Sequence, residues 1–248
     1  MARPYDEKFI SYAATSSRYA ASRVIPILRS SLDIASVVDI GCAGGGWLSV
    51  WQQEGIADIR GVDGDYVRLE DLEIGPDLFT SADLSRPLKL GRTFDLVESL
   101  EVAEHIDETS ADNFVASLVS HAGKYILFSA AVPGQGGEYH VNEQPYDYWR
   151  MRLKPHGFDA YDFVRPRIMN DARISFWYRY NCILYVHRSH QAALNQRVQA
   201  TRVSDGEPIR DLSPRWFRMR KGVVKLLSPE TRDRLARLKA RVAPTGRF

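Results

Sequence analysis

The stretch "VVDIGCAGGGW", residues 37–47, does most to limit what this chain can become. A short apolar run that stops at glycine reads as a buried strand. The next stretch, "GWLSVWQQEG", places Trp47, Leu48 and Trp51 at helical spacing and ends on Gly55, a helix stop. Strand, glycine loop and helix in that order build the turn of a parallel αβ unit. Glycines there let the backbone come close to a ligand, and the helix N-terminus offers unpaired N–H groups.

The same alternation continues along the chain. "ADIRGVDGD" reads as a second strand ending in acids, "DLFTSADL" as a weaker third, "TFDLVESL" as a fourth and "GKYILFSAA" as a fifth. A helix over residues 11–32, broken or kinked near Pro26, precedes the first strand. Helix is expected from about Val102 and again over 110–121, and "YDYWRMRLKPHG" reads as helix after the glycine-rich loop "VPGQGGEYHVNEQP". "FDAYDFVRP" and "ISFWYRYNCILYVHR" are rich in aromatic and β-branched residues and read as β-structure. The expected fold is α/β: a Rossmann-like, doubly wound sheet, mostly parallel, with a late antiparallel strand.

A glycine loop alone fits several nucleotide-binding chemistries, and the acids around it narrow them. Asp39 lies two residues before Gly41, Asp63 follows the second strand 24 residues on, and Asp83 follows the third. Three acids suit a pyrophosphate poorly. They suit a cationic cofactor that carries a ribose, an amino group and a sulfonium. A nicotinamide-dependent oxidoreductase or epimerase is the rival from another class. It leaves Asp39 unexplained, and the chain has no Tyr-x-x-x-Lys pair.

On these motifs the chain resembles class I S-adenosylmethionine-dependent methyltransferases over residues 37–188. "VVDIGCAGG" is similar to their first motif, with Ala43 where glycine is usual, and "FDLVESLEVAEHI" to their fourth strand with the residues after it. The resemblance implies that Asp63 grips the ribose and that Asp83 and Leu84 contact the adenine. It extends the cofactor site to Asp39, Gly41, Ala43, Gly45, Trp47, Gly64 and Ser99. More narrowly, "SLEVAEHI", "HVNEQPYDYW" and "WYRYN" resemble uncharacterised bacterial methyltransferases associated with surface-polysaccharide gene clusters. This weights the acceptor towards a sugar or glycan hydroxyl.

Glu101, Glu104 and His105 stand at i, i+3 and i+4, so in a helix they share one face. With His140 from the glycine-rich loop they are the candidate catalytic group, a histidine base with carboxylates, facing an acceptor held over strands four and five. Tyr139, Asn142, Gln144 and Tyr148 are the candidate acceptor contacts, polar forks beside aromatic plates that suit a sugar ring. Small-RNA 3′-end 2′-O-methyltransferases and ubiquinone-pathway O-methyltransferases carry a similar Glu-x-x-Glu-His. By that resemblance Glu101, Glu104, His105 and His140 could hold a divalent metal, and RNA ribose methylation becomes an alternative reaction.

Charge is distributed unevenly. Of the 248 residues, those from Pro208 to Phe248 carry 12 Lys/Arg against 3 Asp/Glu, and the rest is net acidic, which disfavours nucleic acid as partner. The expected organisation is a methyltransferase domain over 1–188, a polar linker over 189–214 and a basic helical tail over 215–248. "SPETRDRLARLKARV" in that tail reads as a basic amphipathic helix able to meet a membrane surface or a protein partner. The charged opening "MARPYDEKF" has no apolar region behind it, which argues against a secretory signal. With two cysteines, Cys42 and Cys182, a reducing cytoplasm is expected, with peripheral contact at the inner membrane face.

Overall fold

The computed structural model describes residues 7–226 and Thr231, with side chains from Ser16 onwards except at Lys225. Of the helix expected in "SPETRDRLARLKARV", only Thr231 lies among them. Five strands, β1 (Ser36–Ile40), β2 (Asp58–Asp63), β3 (Phe79–Ser81), β4 (Phe94–Leu100) and β5 (Ala122–Ser129), run parallel. Two more, β6 (Phe158–Tyr161) and β7 (Ile183–His187), complete one sheet in the order β3-β2-β1-β4-β5-β7-β6. β7 is antiparallel to both of its neighbours. The helices are α1 (Glu7–Arg29), α2 (Gly46–Gln53), α3 (Ala111–His121), α4 (Tyr146–Leu153), α5 (Arg165–Ile168), α6 (Phe176–Asn181), α7 (Gln196–Gln199) and α8 (Arg215–Lys225).

The central strands β1 and β4 are buried along nearly their whole length because both sheet faces are covered, and most of their residues are apolar. Alternate residues divide between two cores. Val37, Leu96 and Leu127 pack with Val24, Leu28, Leu48 and Trp51 of α1 and α2. Val38, Val97 and Ile126 pack with Phe114 and Leu118 of α3 and Trp149 of α4. Pro26 falls in the last turn of α1, and the helix stops at Arg29.

Two local expectations are corrected. Residues 176–181, read as part of a β-rich run, form helix α6, where Tyr178 packs edge-on to Trp47 and Phe176 to Phe217. Tertiary packing of the aromatic rings overrides their strand preference. The stretch after β4 is also no helix from Val102: Glu101 is left-handed at φ 59°, and a single 3₁₀ turn, Ala103–His105, comes next. Residues 189–214 pack on the body, with Leu194, Val198 and Ile209 buried and Arg202 bridging to Tyr161 of β6.

Parallel strands deliver the loops after β1, β2, β3, β4 and β5 to one edge of the sheet. The strand order reverses between β1 and β4, and the crevice at such a switch point is where open α/β sheets hold ligands. β7 runs the other way, so its beginning, next to Asn181, comes to this same edge.

Candidate active site

Gly41 leaves β1 at φ 97°, and a Cβ there would come within 2.2 Å of Val102. Only glycine suits both the angle and the space. Ala43 takes a left-handed φ of 47°, and Gly45, at φ 82°, caps α2. Ala43 N–H donates to Asp63 Oδ2 at 2.6 Å, and Gly64 N–H to Asp63 Oδ1 at 2.7 Å. The glycine loop and the end of β2 are thus stitched through one buried carboxylate. Tyr66 also donates its hydroxyl to Asp63 Oδ1 and lays its ring over Gly64.

Asp39 is buried beside this pair. Burial first, and then the charge of Asp63, pushes its carboxyl up to about 8. Burial raises Asp63 as well, against the hydrogen bonds from Tyr66, Gly64 and Ala43. One strand over, in register with Asp39, stands a third buried acid, Glu98. It accepts from Trp51 Nε1 at 2.8 Å with Oε1, has no partner for Oε2, and is driven well up by burial and by Asp39. A wall of buried carboxyls with no cation paired to it among the described residues is the chemistry a sulfonium or ammonium ligand would satisfy. The residues fit S-adenosylmethionine on this ground.

Of the other expected cofactor contacts, Trp47 is buried with its ring edge-on to Tyr178. Ser99 is committed to the Ile40 carbonyl at 2.7 Å, tying β4 to β1. Asp83 is exposed after β3, its carboxylate taken by Ser85 and paired with Arg86, and Leu84 packs on the second core.

The second half of the site forms over β4 and β5. The Glu104 carbonyl accepts from the N–H of Val141 and Asn142 at 2.9 and 3.0 Å, pinning the glycine-rich loop across the 3₁₀ turn. His105 Nδ1 donates to the Tyr139 carbonyl at 3.2 Å, and the ring stands edge-on to His140, centroids 5.0 Å apart. His140 Nδ1 donates to Glu143 Oε1 at 3.1 Å, which leaves Nε2 4.0 Å from Glu104 Oε1. Burial alone would raise Glu143. The hydrogen bonds from His140 and from the N–H of Gly134 and Gly136 outweigh it and hold the carboxyl low.

Glu101 belongs to a different group. Its carboxylate accepts from Gln135 Nε2 at 2.9 Å and Asn181 Nδ2 at 3.1 Å, and Asn181 also donates to Gln135 Oε1 at 2.9 Å. Glu104 is buried, raised by desolvation and next by the Glu101 charge, and its Oε2 has no partner. Glu104, His105 and His140 can present three ligand atoms within 4.8 Å of one another, a set that fits a divalent cation with open positions; Glu101 stands outside it. Asn142 is buried, accepting from Gln144 at 2.9 Å and leaving its own Nδ2 unpaired. Tyr148 turns instead to Arg152, stacked 3.6 Å over its ring, and to Glu108.

Glu143, a polar group of the glycine-rich loop, and Gln135 and Asn181 join the candidate site beside the catalytic set read from sequence. The spacing His-x-x-Glu in "HVNE" is a signal for the first; nothing local marks the other two. Among the described residues, the three non-glycine positions with left-handed backbone are Ala43, Glu101 and Tyr139, and all three line this edge. Such conformations persist where surroundings fix them, commonly at functional sites.

No protein-family model matches the sequence, and no curated protein matches it. Solved structures do. The sugar N-methyltransferase KedS8 from Streptoalloteichus sp ATCC 53650 superposes with a TM-score of 0.56 at 16% identity, over 76% of this chain and 94% of its own. Magnesium protoporphyrin IX methyltransferase (ChlM) from Synechocystis PCC 6803, with bound SAH, gives 0.52 at 20%, over 75% and 90%. SAM-bound CalS10, an amino pentose methyltransferase from Micromonospora echinaspora, gives 0.51 at 12%, over 75% and 98%. The chain therefore has the Rossmann-like fold shared by these methyltransferases.

Proposed function

We propose that this protein is an S-adenosylmethionine-dependent O-methyltransferase whose acceptor is a hydroxyl of a sugar or glycan-type molecule. The observation that carries the reading is the pairing, on one sheet edge, of a buried acidic cofactor wall with a Glu143-oriented histidine. Asp63 and the glycine loop would hold the donor, with Asp39 and Glu98 offsetting its positive charge. The donor supplies an electrophilic methyl group on sulfur. A hydroxyl is a weak nucleophile while protonated, and His140 Nε2, with Nδ1 fixed by Glu143, is set to take its proton. The polar loop from Tyr139 to Gln144 and the Glu101–Gln135–Asn181 group offer the donors and acceptors that a ring of hydroxyls requires. That two structural neighbours are a sugar N-methyltransferase and an amino pentose methyltransferase supports a sugar acceptor.

A second reading, favoured by Glu104, His105 and His140, adds a divalent metal at those three residues. The ion would act as a Lewis acid on the acceptor oxygen. Ribose methylation in RNA would use the same group, and the acidic body argues against it.

The test is to incubate purified protein with methyl-labelled donor and fractionated cell-envelope glycans, with RNA in parallel. Label should enter the glycan fraction and co-purified donor should appear by mass spectrometry. Binding of NADH with no affinity for S-adenosylmethionine would overturn the reading.

A further inference from the structure

Helix α8 is docked on the body by one face and presents a different one outward. Phe217 is buried, its ring 4.9 Å from Phe176 and 6.4 Å from Tyr180. Lys221, also buried, pairs with Asp211, and Arg220 donates to the Gln135 carbonyl at 3.2 Å. The helix backbone presses on Gly134, where a Cβ would meet the Lys221 carbonyl at 2.2 Å.

The outward face is apolar. Trp216, Met219, Val223 and Leu226 are 67%, 74%, 63% and 86% exposed. Their spacing of three, four and three residues aligns them in one stripe along the helix. Exposed Arg215 and Arg218 border it on one side and half-buried Arg220 on the other. Soluble surfaces rarely leave such a stripe uncovered.

We infer that this face of α8 lies in the interfacial layer of an anionic phospholipid bilayer. Charge complementarity selects that occupant. A second copy stacked stripe to stripe would bring two rows of arginines together. A nucleic acid backbone would pair with the arginines but leave the four apolar side chains in water. A bilayer interface takes both, apolar groups below the headgroups and guanidinium groups among the phosphates. The segment from Pro208 onwards, with 12 Lys/Arg against 3 Asp/Glu, adds attraction of the same sign. Because α8 abuts Gly134 and Gln135, the face also sets the acceptor side of the candidate site close to lipid. A lipid-linked acceptor is implied only if the methyl-transfer reading holds; the lipid contact stands apart from it, so it is measured without donor.

The experiment sediments the full chain with vesicles of phosphatidylcholine alone and with about 30% phosphatidylglycerol. Binding is expected on the anionic vesicles, weakening as salt rises. Trp216→Ser combined with Val223→Ser should reduce partitioning about tenfold or more without changing the thermal unfolding midpoint. Arg215→Gln with Arg218→Gln should weaken it on anionic vesicles. Brominated lipid should quench the parent's fluorescence more than that of Trp216→Phe. A chain that stays in the supernatant overturns the inference. So does binding that the Trp216/Val223 variant leaves unchanged, or a dimer in solution that this variant dissolves, since the stripe would then serve a second copy.

Discussion

Glu143 Oε1 accepts the Nδ1 proton of His140 at 3.1 Å, which turns the other ring nitrogen towards Glu104 across the acceptor side of the sheet edge. The same carboxylate accepts from Gly134 and Gly136, so it fixes the loop and the imidazole together. Replacement by glutamine puts an amide N–H against one of these donors. We expect His140→Ala to cut turnover about 10²- to 10⁴-fold and Glu143→Gln by about 10²-fold. The double variant should be no slower than His140→Ala alone, because Glu143 acts through the ring. Donor affinity, measured by calorimetry, should hold in all three.

Asp63 is the acceptor for the Ala43 and Gly64 N–H groups as well as the proposed ribose contact. Asp63→Ala should weaken donor binding by about 1–3 kcal/mol. Calorimetry with S-adenosylhomocysteine checks this without an acceptor. Unchanged affinity would remove the ribose from this site.

Burial, and then the Asp63 charge, push the Asp39 carboxyl up to about 8 in the fold, against about 3.9 in an unfolded chain. A raised value means that its stabilising contribution is complete below the unfolded value and is lost as pH rises to about 8. Glu98, raised by burial and by Asp39, acts with the same sign. Donor-free protein should therefore lose denaturant resistance between pH 5 and 8, and Asp39→Asn should flatten that slope, as urea midpoints across the range will show. A cationic donor favours the ionised acid, so its binding near neutral pH should release protons, seen as a buffer-dependent calorimetric heat.

Gly41→Ala combines a left-handed φ of 97° with a Cβ 2.2 Å from Val102. It should destabilise the fold by more than about 1 kcal/mol in equilibrium unfolding. Adding Val102→Ala should relieve the clash with the two valine methyl groups and leave the backbone part, together with a tight 3.0 Å approach to the Cβ of residue 102.

If a divalent ion binds at Glu104, His105 and His140, Glu104→Gln should lose it while Glu101→Gln keeps it, since Glu101 is held by Gln135 and Asn181. Metal content by mass spectrometry after dialysis separates the two. Activity that survives chelation would leave His140 acting without a metal.

The repeat of strand, turn and helix, the largely apolar strands buried on both faces, and the glycine loop with Asp39 and Asp63 beside it are all legible in the sequence. These signals are local: periodicity, a glycine where φ must be positive, and acids at strand ends that parallel strands carry to one edge. The sequence also carried Glu101, Glu104, His105 and His140 as one set; the last three come together, while Glu101 is held by Gln135 and Asn181, and the helical face expected for the first three is a left-handed residue and one 3₁₀ turn. The partners of these side chains come from packing between distant segments. Asn181 meets Glu101 because β7 runs antiparallel beside β5 and so starts at the sheet edge where β4 ends, a juxtaposition across 80 residues that no spacing encodes. Glu143 orients His140 because the loop is pinned to the Glu104 carbonyl. And α8, at the start of the stretch expected as a basic tail, shows which of its faces packs on the body and which stays exposed, since burial depends on what a helix packs against and not on its own pattern.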